Sequence, residues 1–273
     1  MAESDSAQAP EPAEERGLGK MSFMEHLGEL RTRIMWTLVS VGIALVIALF
    51  ITDPVMRYIS RPISGLKTQL MVMTVTEGIW TFMKVALFLS VFISMPAILW
   101  QVWKFVAPGL HEHEKKYALP FVISGSLMFL LGGAFALMVV LPFAVPYLVS
   151  FSQERGWGTI ITVASYTDFV IKFVLAFGLV FQLPIVMTLL SMLGVVTSRF
   201  LAKNRKYAIL INFIVAAVIT PTPDVFNQTL MAAPMCLLYE VGIFCAWIVG
   251  RQRLKRQEEK AAAAAPSGET PAT

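Results

Sequence analysis

The chain has 273 residues, 56% of them hydrophobic and only 15% charged, against roughly a quarter charged in soluble domains. A water-soluble enzyme is all but excluded. The formal charge of +4, from 22 Lys+Arg against 18 Asp+Glu, is too mild and too scattered for a nucleic-acid surface; the composition is that of an integral membrane protein.

In chain order, residues 1–20 are rich in Ala, Pro and Glu and carry too little apolar surface to offset the entropy of ordering, so a disordered tail is expected there. The first charge-free run, 34–51, ends at Asp53-Pro54. The second, 85–103, contains Pro96, which predicts a kink. A third begins at Tyr117 and stays uncharged to Gln153, too long for one span of about 20 residues. Pro142 and Pro146 are expected to end that helix and leave the rest as an interfacial or outer segment. The fourth run, 173–198, is interrupted by Gln182-Leu183-Pro184. The last two, 207–220 and 225–250, are separated by Pro221-Thr222-Pro223-Asp224. The fifth run, 14 residues long, makes about 21 Å of helix against a hydrocarbon core of about 30 Å. Six spans, or four plus a re-entrant hairpin, both fit. From 251 a basic cluster leads into an Ala-rich and then Pro/Ser/Thr tail ending at 273.

Lys and Arg counts give the orientation. Arg16, Lys20, Arg31, Arg33, Lys104, Lys115, Lys116, Arg199, Lys203, Arg205, Lys206, Arg251, Arg253, Lys255, Arg256 and Lys260 fall on one side. Arg57, Arg61, Lys67 and Arg155 fall on the other, with Lys84 and Lys172 at span ends. The expectation is an all-α polytopic membrane protein, six transmembrane helices over 21–250, with both termini cytoplasmic (N-in/C-in). The first span is not expected to be a cleaved signal peptide, since its apolar run is long and no small-residue cleavage site follows.

Bond-making chemistry has no obvious seat. Gly19-Lys20 is followed by Met21 and lacks the upstream glycine of a phosphate loop, and no Gly-x-Ser-x-Gly elbow occurs. Cys236 and Cys245 lie nine apart, on roughly opposite sides of a helix, and offer no disulfide or zinc spacing. His111 and His113 are at i and i+2 and would not face one another on a helix, so neither a metal nor any other cofactor is expected. Asp168 and Asp224 sit at span ends, an unpromising place for an intramembrane dyad. No enzyme activity is predicted.

What stands out is polarity placed where it is costly. Glu240 interrupts the sixth run near its middle, where an ionisable group costs a few kcal/mol and marks function by default. It reads either as a protonated acid bonded to a neighbouring helix or as a polar contact in a transport route. Gln182, beside Pro184, reads either as a bond between helices or as a contact to a partner helix. Two mixed-charge segments lie at the membrane surface: His26-Leu27-Gly28-Glu29-Leu30-Arg31-Thr32-Arg33 before the first span, and Pro108-Gly109-Leu110-His111-Glu112-His113-Glu114-Lys115-Lys116 between the second and third. Alone, such segments are usually solvated faces.

At these segments the sequence resembles the TatC family, the polytopic subunit of the twin-arginine protein translocase. The resemblance spans nearly all of 21–250. It is carried by Met24-Glu25-His26-Leu27-Gly28-Glu29-Leu30-Arg31, by Gln101-Val102-Trp103-Lys104-Phe105-Val106-Ala107-Pro108-Gly109-Leu110 and by His113-Glu114-Lys115-Lys116. Ala164-Ser165-Tyr166, Phe181-Gln182-Leu183-Pro184 and Thr220-Pro221-Thr222-Pro223-Asp224-Val225-Phe226-Asn227-Gln228 complete it. The resemblance implies a glove-shaped, six-span protein with short last helices in a bacterial inner membrane. It implies a receptor for twin-arginine signal peptides of folded cargo, working with TatA- and TatB-like single-span partners, self-associating in membrane lipid and driven by the proton-motive force. Signal-binding positions that match are Glu29, Arg31, Phe105 and Glu114. Matching outer-loop and span positions are Pro62, Asp224, Gln228 and Glu240. Many members have Glu where this chain has Gln182, so a role needing charge there is in doubt while hydrogen bonding survives.

The physics suits that task. Two adjacent arginines present two planar forks, each able to make paired hydrogen bonds with a carboxylate, and lysine keeps the charge but loses the fork. Phe105 would pack a guanidinium face or serve as an interfacial anchor. The rival reading is a small-solute secondary transporter, which should show inverted repeats with matching broken helices. Pro96 and Pro184 occupy similar positions, but their flanks do not repeat.

Overall fold

The computed structural model describes residues 23–64, 70–109, 115–156, 160–220 and 224–264. The tails at 1–20 and 265–273, and the loop residues His111, His113 and Glu114, lie outside these.

Five helical stretches among the described residues are long and apolar enough to cross a membrane. Helix α1 (Phe23–Ile59) runs through Asp53-Pro54 instead of ending there. Proline removes one intrahelical donor, here the one that would serve Phe50 O, a loss that membrane helices tolerate. A short helix α2 (Arg61–Ser64) and strand β1 (Leu70–Met71) follow. Helix α3 (Glu77–Val106) runs unbroken through Pro96 and packs along α1.

The third run corrects the expectation. Helix α4 (Ala118–Phe135) passes into a π-helical turn over Ala136–Val140 and resumes as α5 (Leu141–Gln153). Pro142 cannot donate to the carbonyl four residues back, and its ring crowds it. The wider turn resolves this: Leu141 N–H reaches back five residues to Ala136 O. The 36 residues of Ala118–Gln153 rise about 54 Å, so α5 projects beyond the hydrocarbon while remaining helical.

Strand β2 (Ile161–Thr162) pairs in parallel with β1, Leu70 opposite Ile161; this small sheet is absent from the all-α expectation. Helix α6 (Val163–Val180) begins before the apolar run, capped where Thr162 Oγ1 accepts from Ser165 N at 3.1 Å. The break at Gln182-Leu183-Pro184 appears as expected, with α7 (Leu183–Met192) continuing the crossing. After α8 (Ser198–Lys203) come α9 (Arg205–Ile219) and α10 (Val225–Ala264). Only the first of the last pair is short. Helix α10 has 40 residues because its apolar part, Val225–Arg251, continues into the basic cluster.

The contacts sort the helix ends onto two faces. The start of α1 and end of α3 meet where His26 stacks on Phe105. Trp103, Tyr117, Met192 and Val249 pack together on that same face. It bears most of the basic residues and is called the basic face below. On the far face, Tyr166 OH donates to Ile59 O at 2.7 Å, and Phe226 at the start of α10 stacks on Tyr147 of α5. The α9–α10 pair therefore reaches the far face rather than turning back in mid-membrane. The core between the faces centres on Phe173, Phe177, Val140, Leu141, Val170 and Val174. Helices α4 and α6 meet closely through glycine: a Cβ on Gly132 would lie 2.5 Å from Phe177 O, the small-residue packing common in membranes.

Candidate functional site

On the basic face, His26, Glu29 and Arg33 occur at intervals of three and four, so they share one side of α1. Arg33 Nη2 donates to Glu29 Oε1 at 2.8 Å, with side chains 26% and 15% exposed. The other carboxylate oxygen, Glu29 Oε2, is buried without a partner among the described residues, as are Arg33 Nε and Gln101 Oε1. Beside them His26 and Phe105 stack, centroids 4.3 Å apart and planes 23° from parallel. Glu29 and Phe105 are thus brought together, joined by a helix-to-helix aromatic contact that leaves Phe105 half-buried. Arg31, two residues on from Glu29, points to another side of the helix and lines a shallow groove with Gly28, Thr32, Met35 and Trp36. Glu114 lies outside the described residues. His26 and Arg33 are the partners that reading the segment as a charge run overlooked; their helical spacing was the available signal.

In the membrane interior, Gln182 is buried and its Nε2 donates to Gly125 O at 2.9 Å. The absence of a side chain at Gly125 permits the approach. Gln182 Oε1 is buried and has no partner among the described residues. This is the bond within the bundle that one reading foresaw. Glu240 bonds to a neighbouring helix, pairing with Arg205, the first residue of α9, at 2.9 Å, both side chains about half exposed. Gln228 Nε2 donates to Phe213 O at 3.1 Å, tying α10 to α9.

On the far face three carboxylates bond within the fold. Asp224 accepts from Asn227 N at 2.8 Å and from Asn227 Nδ2 at 3.1 Å, an N-terminal cap for α10. Asp168 binds Lys84 across the α3–α6 seam at 2.8 Å, so the imagined pairing of Asp168 with Asp224 gives way to separate partners. Pro62 belongs to α2. Glu77, which sequence reasoning missed, ties three segments together: Oε2 accepts from Met73 N at 2.7 Å and Thr74 N at 3.3 Å, and Oε1 from Ala164 N at 2.9 Å. An acidic residue opening an apolar run was its signature.

Comparison with known proteins covers most of the chain. A family model described as "Sec-independent protein translocase protein (TatC)" matches residues 25–234. The TatC protein of Koribacter versatilis is 37% identical over 91% of this chain and 93% of its own. That of Carboxydothermus hydrogenoformans is 40% identical over 83% of this chain and 93% of its own. A crystal structure of a twin-arginine translocase receptor, TatC, superposes with a TM-score of 0.72 at 38% identity, covering 82% of this chain and 99% of that one.

Proposed function

The chain belongs to the Sec-independent protein translocase TatC family, and from that premise we propose that it is the signal-reading core of a twin-arginine translocase. In this reading the basic face lies in the cytoplasm of a bacterial inner membrane, and the chain binds twin-arginine signal peptides of folded cargo there. The observation that carries it is the buried, unpartnered Oε2 of Glu29, adjacent to the His26–Phe105 stack. A sheltered carboxylate oxygen with a lone pair to spare, beside an aromatic face, accepts a guanidinium and covers its plane. Glu114 supplies the second acceptor, Arg31 the cationic flank that orients the approaching peptide.

The remaining roles follow the same premise. TatA- and TatB-like single-span proteins dock along α6 to α10, with Gln182 and Gln228 as polar contacts. Copies of this chain self-associate, and the apolar Val72, Val75, Ile79 and Trp80, all exposed on the far cap, favour that. The chain contributes binding and assembly rather than bond-making, and the proton-motive force drives transport. The match along nearly the whole chain speaks against the small-solute transporter.

The test is site-specific photocrosslinking from position 105 to signal peptides carrying Arg-Arg or Lys-Lys. The Arg-Arg peptide should label strongly, the Lys-Lys peptide weakly, and Glu114→Ala should abolish labelling without loss of folded protein. Equal labelling of both peptides, or undiminished labelling in Glu114→Ala, removes this site from signal recognition.

A further inference from the structure

An open groove of about 400 Å³ lies on the basic face between α8 and α10, away from Glu29 and Phe105, lined by Ser198, Arg199, Arg205, Glu240, Phe244 and Trp247. Its origin is the shortness of α9. The 15 residues of α9 rise only about 22 Å, and the first of them, Arg205, is level with Glu240. Beyond Glu240, α10 continues eleven residues to Arg251, about 16 Å, with no α9 alongside. Helix α7 packs along one side of this stretch, Ser191 Oγ lying 3.4 Å from Ala246 O, and on the groove side the six-residue α8 crosses, held by Tyr239 OH donating to Leu201 O at 3.0 Å and by Leu201 packing with Ile243.

The lining is chemically divided. Arg199 is exposed and makes no ion pair or hydrogen bond among the described residues. Arg205 shares its charge with Glu240, and the Arg251 guanidinium lies 5.4 Å from the centre of the Trp247 ring. Phe244 and Trp247 are 60% and 47% exposed. Hydrocarbon alone would strand the guanidinium groups, and water alone would leave two large rings wet. A molecule with an anionic head and apolar chains satisfies both.

We propose that this groove binds an anionic phospholipid, its phosphate held by Arg199 and Arg205 and its acyl chains lying along Phe244 and Trp247. Two arginines against one carboxylate leave the groove net positive, so a zwitterionic headgroup would bring its own cation against Arg199 and bind less well. Basic pockets between helices on the anionic leaflet are a recurring setting for such headgroups. A phosphate held level with Arg205 lies deeper than the surrounding surface, which confines bilayer thinning to the flank of the short helix. The proposal is independent of signal recognition, and its readout involves no cargo.

The experiment places the full chain in phosphatidylcholine vesicles containing brominated phosphatidylglycerol or, separately, brominated phosphatidylcholine. The emission lost on Trp247→Phe isolates the Trp247 signal. Brominated phosphatidylglycerol should quench it at a mole fraction about fivefold lower than brominated phosphatidylcholine, the preference expected of one net charge. Arg199→Gln should erase that preference, and Glu240→Gln should increase it. Equal quenching by the two lipids, or a preference that survives Arg199→Gln, overturns the proposal. So does relief of quenching by inorganic phosphate, which would mean a free-anion site. Absence of quenching by either lipid also overturns it, because a protein segment then fills the groove.

Discussion

The two faces of this molecule use the same residue types in opposite ways. On the far face, carboxylates are closed into the fold: Glu77 accepts from three backbone amides, two in the loop before α3 and one on α6, Asp224 caps α10 and Asp168 neutralises Lys84. Tyr166 and the β1–β2 pair add further ties. On the basic face, Glu29 meets one partner and keeps an oxygen free among the described residues, the buried Gln101 Oε1 is open as well, and Arg199 lines an open groove. A closed hydrogen bond fixes geometry, whereas a buried acceptor left open is a standing cost that a ligand can relieve. The far face reads as a brace and the basic face as a receptor.

The comparison breaks most easily at Glu29. Charged hydrogen bonds are worth about 1.5–3 kcal/mol, so Glu29→Gln should weaken a fluorescent Arg-Arg signal peptide about 10- to 100-fold. The thermal midpoint in detergent should hardly move, since Arg33 can still donate to the amide oxygen. Unchanged peptide affinity would mean that the open oxygen is not a receptor element.

Glu77 sharpens the same contrast from the other side. Glu77→Ala leaves the amides of Met73, Thr74 and Ala164 without their shared acceptor, so the thermal midpoint should fall further than in any basic-face variant. Peptide affinity per folded molecule should stay unchanged, as expected of distant sites. Tyr166→Phe, which removes one bond to Ile59 O, should cost about 1 kcal/mol and lower the midpoint by about 2–4 °C. A loss of peptide binding in either variant at full folding would erase the division of labour.

The legibility of the sequence follows that division. Apolar runs bounded by charges gave the spans, the Pro184 break and the unequal basic faces, because each rests on local composition or on a missing amide proton. Local reading failed where a neighbouring element decided the outcome. Pro142 signals a helix end, yet a π-helical turn absorbs it. Glu240 lies mid-run, but its pairing with Arg205 depends on where the neighbouring helix α9 begins. Glu77 announces a helix start, but its bond to Ala164, 87 residues away, has no local signal. Of the proposed signal-binding set, Glu29 and Phe105 stand in motifs the sequence shows, while the stack of His26 on Phe105 required knowing how α1 and α3 align.

Gln182 lies between the two faces and gives the smallest expected effect. Its amide bonds Gly125 O, a carbonyl within α4 that the helix's own ladder can also serve. Bonds of this kind between membrane helices average only about 0.6 kcal/mol, so Gln182→Leu should lower the thermal midpoint by about 1–3 °C. Gln182→Glu should lower the midpoint at least as much, since a carboxylate cannot donate to Gly125 O. The free Oε1 is what could raise the stakes. If Gln182→Leu stays folded but loses export far beyond what its stability loss explains, that oxygen meets a donor on a partner helix. If export falls only in step with stability, Gln182 is another brace.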